Sequence, residues 1–178
     1  ALLTDGTENI LIAAKAGRCC RFNEMELRAL GRNSSGVRGI SIEDDDEVIG
    51  AIAHKMDAED ASGHSILVVS ENGFGKRSDY EEYRLTSRGA KGVKTINITD
   101  KTGTLVAIKD VTEENDLMII TKSGLTIRMA VSEIRIAGRA TQGVKLINIR
   151  EGDSIAAVCP VAKSEDEEVA EETTQNED

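Results

Sequence analysis

Arginine, lysine and glycine recur at fixed spacing in three segments of this 178-residue chain. Each copy has Gly, three residues, Arg, ten residues, Arg, three residues, then Gly-Val and a basic residue. Cations at regular intervals suit a row of phosphates, and glycines beside them let a backbone approach closely. The copies comprise Gly17, Arg21, Arg32, Gly36, Val37 and Arg38; Gly73, Arg77, Arg88, Gly92, Val93 and Lys94; and Gly124, Arg128, Arg139, Gly143, Val144 and Lys145. The pattern predicts one structural unit that occurs three times, in which the glycine of each Gly-Val pair occupies a turn at positive φ.

Short apolar runs rich in β-branched residues flank each copy. The run before the first glycine leads through a polar link to a second such run, which predicts a β-hairpin. After Gly-Val, polar and apolar residues alternate, as in Thr95-Ile96-Asn97-Ile98, and predict a third strand. A turn and a fourth apolar run follow in every unit. Four strands per unit predict an all-β, propeller-like fold of three four-stranded blades that form part of a disc.

The unit boundaries follow from the polar segments between the apolar runs. Blades are predicted at residues 1–53, 65–109 and 116–162, and linkers at 54–64 and 110–115. Three segments with a helical pattern are too short for stable helices, and loops or single turns are predicted there. They are residues 23–30, 79–85 and 131–136. Because three blades leave open strand edges, we expect the isolated chain to be marginally stable or to associate.

The formal net charge of −10 is unevenly distributed along the chain. Residues 163–178 hold eight acidic residues and one lysine, a net charge of −7, which leaves −3 for residues 1–162. This acidic tail has little apolar content and is predicted to be disordered. The overall acidity therefore does not exclude a nucleic-acid partner. Two roles stay open for the tail: it competes with DNA for the cations, or it only increases solubility.

Other function classes lack a supporting pattern in the sequence. No apolar run approaches the roughly 18 residues that span a bilayer, and no signal peptide is visible. Phosphate-binding loop motifs and Ser-His-Asp arrangements are also missing. His54 and His64 fall in a predicted linker without partner spacing, and no metal site is predicted there or at the acidic residues 43–47. Because the chain begins with Ala1 rather than Met, we expect it to continue upstream.

The three units resemble blades of the C-terminal domain of the DNA gyrase A subunit, the β-pinwheel that wraps DNA. The resemblance covers residues 2–162 and is carried by residues 87–94 and 138–145. The first of these segments, Ser-Arg-Gly-Ala-Lys-Gly-Val-Lys, is similar to the family's gyrase box, Gln-Arg-Arg-Gly-Gly-Lys-Gly. An intact box is not present; in the family it belongs to the first blade, which would lie upstream of Ala1. The sister family, the C-terminal domain of the topoisomerase IV A subunit, is the alternative.

The resemblance implies a segment that binds and wraps duplex DNA without reading its sequence and thereby directs ATP-dependent negative supercoiling. It also implies a bacterial cytoplasmic setting near the nucleoid, without a membrane. The implied partners are the gyrase B subunit and a second gyrase A subunit in an A2B2 complex. In the family a tyrosine directly after an arginine cleaves DNA, whereas Tyr80 follows Asp79 and Tyr83 follows Glu82. No catalytic residue and no cofactor are therefore predicted in this chain, and ATP and Mg²⁺ would be used elsewhere in the whole enzyme.

Eight cations are predicted to contact DNA phosphates: Arg32, Arg38, Lys76, Arg88, Lys91, Lys94, Arg139 and Lys145. For Arg21, Arg77 and Arg128, inside the second strand of each hairpin, DNA contact and a structural pairing between blades both stay open. Few aromatic residues are available for base stacking, which favours duplex over single-stranded DNA. A different class, a non-enzymatic propeller scaffold that binds other proteins, is the remaining alternative.

Overall fold

The computed structural model describes residues 1–55 and 63–163. In this part of the chain, eleven strands form three antiparallel sheets. The strands are β1 (Glu8–Ala14), β2 (Arg18–Asn23), β3 (Val48–Lys55), β4 (His64–Ser70), β5 (Phe74–Ser78), β6 (Val93–Lys94), β7 (Leu105–Thr112), β8 (Asn115–Thr121), β9 (Thr126–Ala130), β10 (Val144–Lys145) and β11 (Ile155–Ala162). The predicted all-β class is confirmed.

Short 3₁₀ turns follow the second strand of each hairpin, as the sequence predicted. They lie at Glu24–Glu26, Tyr80–Glu82 and Val131–Glu133. In the first, the side chain of Asn23 accepts a hydrogen bond from the backbone of Met25. Among the described residues, no helix is long and apolar enough to cross a membrane.

The sheets follow the orders β3-β1-β2-β6, β10-β5-β4-β7 and β11-β8-β9. Strand three of the second and third units therefore leaves its own hairpin, which corrects the prediction of four strands from one unit. β6 pairs with β2 through Arg18 opposite Lys94, and β10 pairs with β5 through Val144 opposite Gly75. Alternation identifies a strand but not its partner, and the edge of the preceding hairpin offers unpaired N–H and C=O groups.

The other departures in strand count have the same cause. The third sheet has three strands in the described residues, where four were predicted. The segment at residues 38–42, predicted as strand three of the first unit, forms no strand. Strand three always joins the preceding sheet, and the first sheet has no predecessor among the residues described.

The strands extend further than the predicted blade boundaries. β3 continues to Lys55, β4 begins at His64, and β7 runs to Thr112, so strand residues occupy parts of both predicted linkers. The remainder of the first linker, residues 56–62, lies outside the described residues. The acidic tail predicted at 163–178 lies outside them as well, apart from Lys163.

The sheets pack face to face because β4, the first strand of the central hairpin, is apolar on both sides. In β4, Ile66 and Val68 belong to a cluster shared with the first sheet, whereas Leu67 and Val69 belong to a cluster shared with the third. All four side chains are fully buried. Two-residue periodicity places alternate side chains on opposite faces, so one strand contributes to two cores. This stacking of sheets around shared apolar layers is typical of propeller blades.

Candidate nucleic-acid interface

Three cationic loops, residues 27–42, 83–98 and 134–149, hold most of the predicted phosphate contacts. Consecutive loops are hydrogen-bonded to each other through their backbones. The Gly89 N–H donates to the Gly39 carbonyl at 2.7 Å, and the Asn97 N–H donates to the Thr141 carbonyl at 3.0 Å. The loops of neighbouring units therefore lie side by side, and their cations are brought to shared contacts.

Gly92 docks the second cationic loop onto the first sheet. Its φ is +69°, and a Cβ atom there would overlap the carbonyl oxygen of Cys19. Gly143 has a φ of +77° and meets the backbone of Gly75 in the same way. The predicted positive φ of these turn glycines is confirmed. Their second role, close approach to the preceding sheet, holds Lys94 and Lys145 in β6 and β10.

Arg88 and Arg139 lie where one loop meets the next. Nη1 of Arg88 donates to the carbonyl of Arg38 at 3.3 Å, and Nη1 of Arg139 donates to the carbonyl of Lys94 at 2.9 Å. Both side chains are half-buried. A guanidinium carries five N–H groups, so one carbonyl bond orients it without using its capacity for a phosphate.

Five other predicted cations project from the same loops as exposed residues: Arg32, Arg38, Lys91, Lys94 and Lys145. Lys91 approaches Glu43 at 3.8 Å, but both side chains are at least 75% exposed, so this pair contributes little. Lys94 donates through Nζ to Oδ1 of Asn97 at 3.3 Å. These contacts leave the cations accessible to a large anionic ligand.

Lys76 is fully buried, which corrects its prediction as a phosphate contact. Its Nζ donates to the carbonyl of Gly138 at 2.6 Å and to Oγ of Ser78 at 3.3 Å. Burial lowers the pKa of Lys76 to about 8, against the opposing charge of Glu82. A side chain without exposed surface cannot reach DNA, and Lys76 instead ties the third cationic loop to the second sheet.

The contacts of Arg21 and Arg77 support the structural interpretation over DNA contact. Nη1 of Arg21 donates to the carbonyls of Tyr80 and Tyr83 at 3.0 and 3.1 Å. Nε of Arg77 donates to the carbonyl of Ile134 at 2.8 Å, and Nη1 and Nη2 of Arg77 both donate to Oε1 of Glu113 at 3.2 Å. Both arginines thus bind the 3₁₀ turn of the following unit and join neighbouring sheets.

Arg128, the third member of this set, makes its contacts within its own sheet. Its guanidinium lies 2.6 Å from Oδ2 of the buried Asp116 and donates to the carbonyl of Ala162 at 3.3 Å. The side chain is 39% exposed. This partly exposed ion pair also supports a structural role.

Three exposed arginines in the cationic loops were not predicted as phosphate contacts: Arg28, Arg84 and Arg135. They lie four residues before Arg32, Arg88 and Arg139 and recur at the same intervals of 56 and 51 residues. The repeat thus contained the signal. It was missed because the pattern was defined by the glycines and the two arginines between them.

Comparison with known proteins places these units in a family. The model of the DNA gyrase C-terminal domain, beta-propeller, matches residues 8–55, 64–112 and 115–161, which are the three strand units. The A subunit of DNA gyrase from Staphylococcus aureus (strain MRSA252) is 44% identical over 178 residues, covering 99% of this chain and 20% of the relative. The A subunit of DNA gyrase from Staphylococcus epidermidis (strain ATCC 12228 / FDA PCI 1200) is 44% identical over 164 residues, covering 92% of this chain and 18% of the relative. The chain spans about a fifth of the length of these curated relatives.

Two solved structures share the fold. A DNA gyrase A C-terminal domain superposes with a TM-score of 0.77 at 24% identity, covering 86% of this chain and 50% of that one. The C-terminal domain of a DNA topoisomerase IV superposes with a TM-score of 0.81 at 18% identity, covering 99% of this chain and 54% of that one. At these identities the superpositions establish architecture alone. Together with the family match across all three units, they show that this chain belongs to the DNA gyrase C-terminal domain family of beta-propellers.

Proposed function

We propose that this chain binds and wraps duplex DNA without sequence preference, as part of a gyrase A subunit that directs ATP-dependent negative supercoiling. The observation that carries the proposal is the contact between successive cationic loops. Arg88 is held at Arg38 and Arg139 at Lys94, so cations from neighbouring units follow one another along adjoining loops. A duplex presents closely spaced phosphates, and a repeated row of cations matches them without reading bases.

The aromatic residues support a duplex partner. All four in the chain are buried, with at most 8% of their surface exposed: Phe22, Phe74, Tyr80 and Tyr83. Single-strand binding proteins rely on exposed aromatic rings for base stacking. The described residues also contain no helix longer than a 3₁₀ turn, so no recognition helix is available there for a major groove. Contacts with the phosphate backbone and bending of the duplex are the remaining mode.

The choice between gyrase and topoisomerase IV rests on the sequence relatives. The two relatives described above are both gyrase A subunits at 44% identity, whereas topoisomerase IV shares the fold at 18%. Topoisomerase IV stays the second candidate because its C-terminal domain superposes on 99% of the chain. Negative supercoiling by the whole A subunit together with the B subunit supports the first assignment, and relaxation without supercoiling supports the second.

Within the proposed enzyme, this segment supplies DNA binding alone. A second A subunit and the B subunits complete an A2B2 complex in the bacterial cytoplasm. ATP hydrolysis, Mg²⁺ binding and strand cleavage belong to those other parts, and no catalytic role is assigned to this chain. Its cations set the path of the wrapped DNA, and that path gives strand passage its direction.

The DNA-binding proposal is tested by titrating duplex binding against salt. If roughly six cations contact phosphates, log K falls with log salt at a slope near −5. Replacing Arg38, Lys94 and Lys145 together with Gln should weaken the slope by about three, since each phosphate contact contributes about one. All three residues are exposed, and the Lys94 side chain donates a hydrogen bond to Asn97 of its own loop. The triple variant should therefore still fold.

Lys109→Gln is the matched control for Lys94→Gln alone, which removes one of the three charges and should weaken the slope by about one. Lys109 lies in β7, at the opposite edge of its sheet from β10. Its substitution should leave the slope unchanged. Binding that ignores salt, or an equal loss in the control, contradicts the proposed interface. In the whole A subunit assembled with the B subunit, the triple variant should lose negative supercoiling and keep DNA cleavage.

A further inference from the structure

The two histidines of the chain meet at one carboxylate where the first and second sheets join. His54 lies near the end of β3, His64 begins β4, and Asp110 lies in β7. Nδ1 of His64 is 3.0 Å from Oδ1 of Asp110, and Nδ1 of His54 is 3.5 Å from Oδ2. The sequence prediction found no partner for either histidine because it placed both in a linker.

The three side chains have the donor types and spacing of a transition-metal site. One ligand atom from each lies within 4.8 Å of the other two. Zinc bonds to imidazole nitrogen and carboxylate oxygen are about 2.0–2.2 Å long, so tetrahedral ligand atoms lie about 3.3 Å apart. The separation from His64 Nδ1 to Oδ1 of Asp110, 3.0 Å, and that from His54 Nδ1 to the other carboxylate oxygen, 3.5 Å, are each close to that value. Two imidazoles and one carboxylate leave a fourth position open.

Asp110 lies between the two imidazoles and presents a different carboxylate oxygen to each of them. Its side chain is 25% exposed, so the anion is accessible from one side.

A cavity gives an ion a path to these ligands. Its volume is about 290 Å³, and its lining includes Glu8 and Lys55 beside the three candidate ligands. The exposed fraction of the side chain is 4% for His54, 25% for Asp110 and 35% for His64. An entering ion therefore finds two accessible ligands and one at the base of the cavity, and a water molecule has room at the fourth position.

Packing fixes the deepest ligand in place. The His54 ring stacks on Tyr80 with centroids 3.7 Å apart and an interplanar angle of 14°. Nε2 of His54 is buried without a hydrogen-bond partner among the described residues. The stacked ring is thus held with Nδ1 towards Asp110, and Nδ1 is the nitrogen that an ion between the three side chains would bind.

The fold does not itself require these three side chains. The strand registers identify the residues at the equivalent positions of the join between the second and third sheets. Val111 corresponds to His54, Asn115 to His64 and Pro160 to Asp110. Those three aligned residues have the same backbone arrangement and do not form a set of metal ligands. The trio is therefore a property of the first join.

We propose that His54, His64 and Asp110 bind one divalent transition-metal ion of the Zn²⁺ class, with water as fourth ligand. The ligands come from β3 on one side and from β4 and β7 on the other. A bound ion therefore cross-links the first two sheets. Because the unfolded chain does not hold the three ligands together, metal binding stabilises the folded state.

The test uses the full chain without a polyhistidine tag, in a Cys159→Ser background, because Cys159 is a free, exposed cysteine and thiolates are zinc ligands. After chelator treatment, one equivalent of Co²⁺ should give the visible absorption bands of four-coordinate cobalt, and Zn²⁺ should abolish them. Zn²⁺ should also raise the thermal unfolding midpoint. His64→Gln and Asp110→Asn should each weaken Zn²⁺ binding roughly 100-fold.

Glu24→Gln is the matched control, because Glu24 belongs to a more exposed acidic cluster with Asp5 and Glu8 and does not line the cavity. It should bind Zn²⁺ as the parent does. His64 is partly exposed, and an unchanged unfolding midpoint of metal-free His64→Gln shows that the variant folds. Absence of cobalt bands from the parent, tight zinc binding by His64→Gln, or an equal loss in Glu24→Gln overturns the proposal. DNA is absent from the assay, so its outcome is independent of the proposed wrapping.

Discussion

The join between the first and second sheets and the join between the second and third share their backbone contacts but differ in their side chains. In the first, the Leu105 N–H donates to the Lys15 carbonyl at 2.9 Å; in the second, the Ile155 N–H donates to the Glu71 carbonyl at 3.0 Å. Each join also receives a short strand from the following unit. The two joins thus share one pattern of backbone bonds beside their apolar layers, which leaves the polar side chains at each join free to differ.

The polar groups at the two joins illustrate that freedom. Arg21 binds carbonyls at the first join, and its Nε is buried without a hydrogen-bond partner among the described residues. Arg77 at the second join uses Nε and also meets the carboxylate of Glu113. One residue earlier, Cys20 approaches the Ser87 carbonyl at 3.8 Å, whereas Lys76 donates to the equivalent carbonyl of Gly138. The second join is therefore held by Arg77 and Lys76, and the first by Arg21 together with Arg18, whose Nε and Nη2 donate to the carbonyls of Lys91 and Gly92 at 3.0 Å.

The largest expected effect comes from breaking what the joins share. Gly92→Ala should destabilise the chain by about 3 kcal/mol or more, because a side chain at positive φ costs about 1–2 kcal/mol and its Cβ would overlap the Cys19 backbone. Urea denaturation measures the difference. Gly36→Ala is the control: its φ is +76°, but nothing lies within 4 Å of the added Cβ, so it should cost only about 1 kcal/mol. Equal losses would show that Gly92 serves the turn and not the docking.

A smaller effect should separate the two arginines. Arg77→Met should cost about 3 kcal/mol, because it leaves the buried carbonyl of Ile134 without its donor and removes a buried cation paired with Glu113. Arg21→Met should cost about 1–2 kcal/mol, since Arg21 is half-buried and lacks a carboxylate partner among the described residues. The losses of unfolding free energy in the two variants are compared from their urea denaturation midpoints, at equal m values. A larger loss for Arg21→Met would contradict this difference between the two arginines.

The smallest effect is the pH dependence from Lys76. Its pKa falls from 10.5 to about 8 on folding, so the unfolded state binds more protons between those values. The stability of the parent relative to Lys76→Met should therefore rise with pH in that window, by about 1 kcal/mol between pH 8 and 9, and stay constant below it. Taking the difference between parent and variant cancels other titrating groups. A flat difference would indicate that Lys76 stays protonated in its buried position.

Local sequence patterns predicted the elements better than their partners. The hairpins, 3₁₀ turns and positive-φ glycines follow from periodicity and from backbone sterics within a few residues. The partner of β6 does not, because alternation marks the apolar face of a strand and carries no information about which edge it joins. Lys76 was misplaced for the same reason: β5 is covered by the cationic loop of the next unit, and every residue of β5 is buried.

The candidate sites show a similar division. The exposed cations were predictable because the repeat places them in loops. The His54, His64 and Asp110 cluster was not, since it combines three strands from two units and falls at the boundaries where sequence assignment is weakest. Arg28, Arg84 and Arg135 were visible in the repeat and needed only a wider pattern.

The exchange of β6 onto β2 also has a consequence for the order in which the protein is made. β2 ends at Asn23, but the strand that covers its edge is Val93–Lys94, about 70 residues later. During synthesis the first sheet keeps an open edge until most of the second unit has left the ribosome, and the second sheet likewise waits for β10. Each blade can close only after its successor has emerged, so slowing translation within a unit should prolong the exposure of the preceding edge to chaperones and to aggregation.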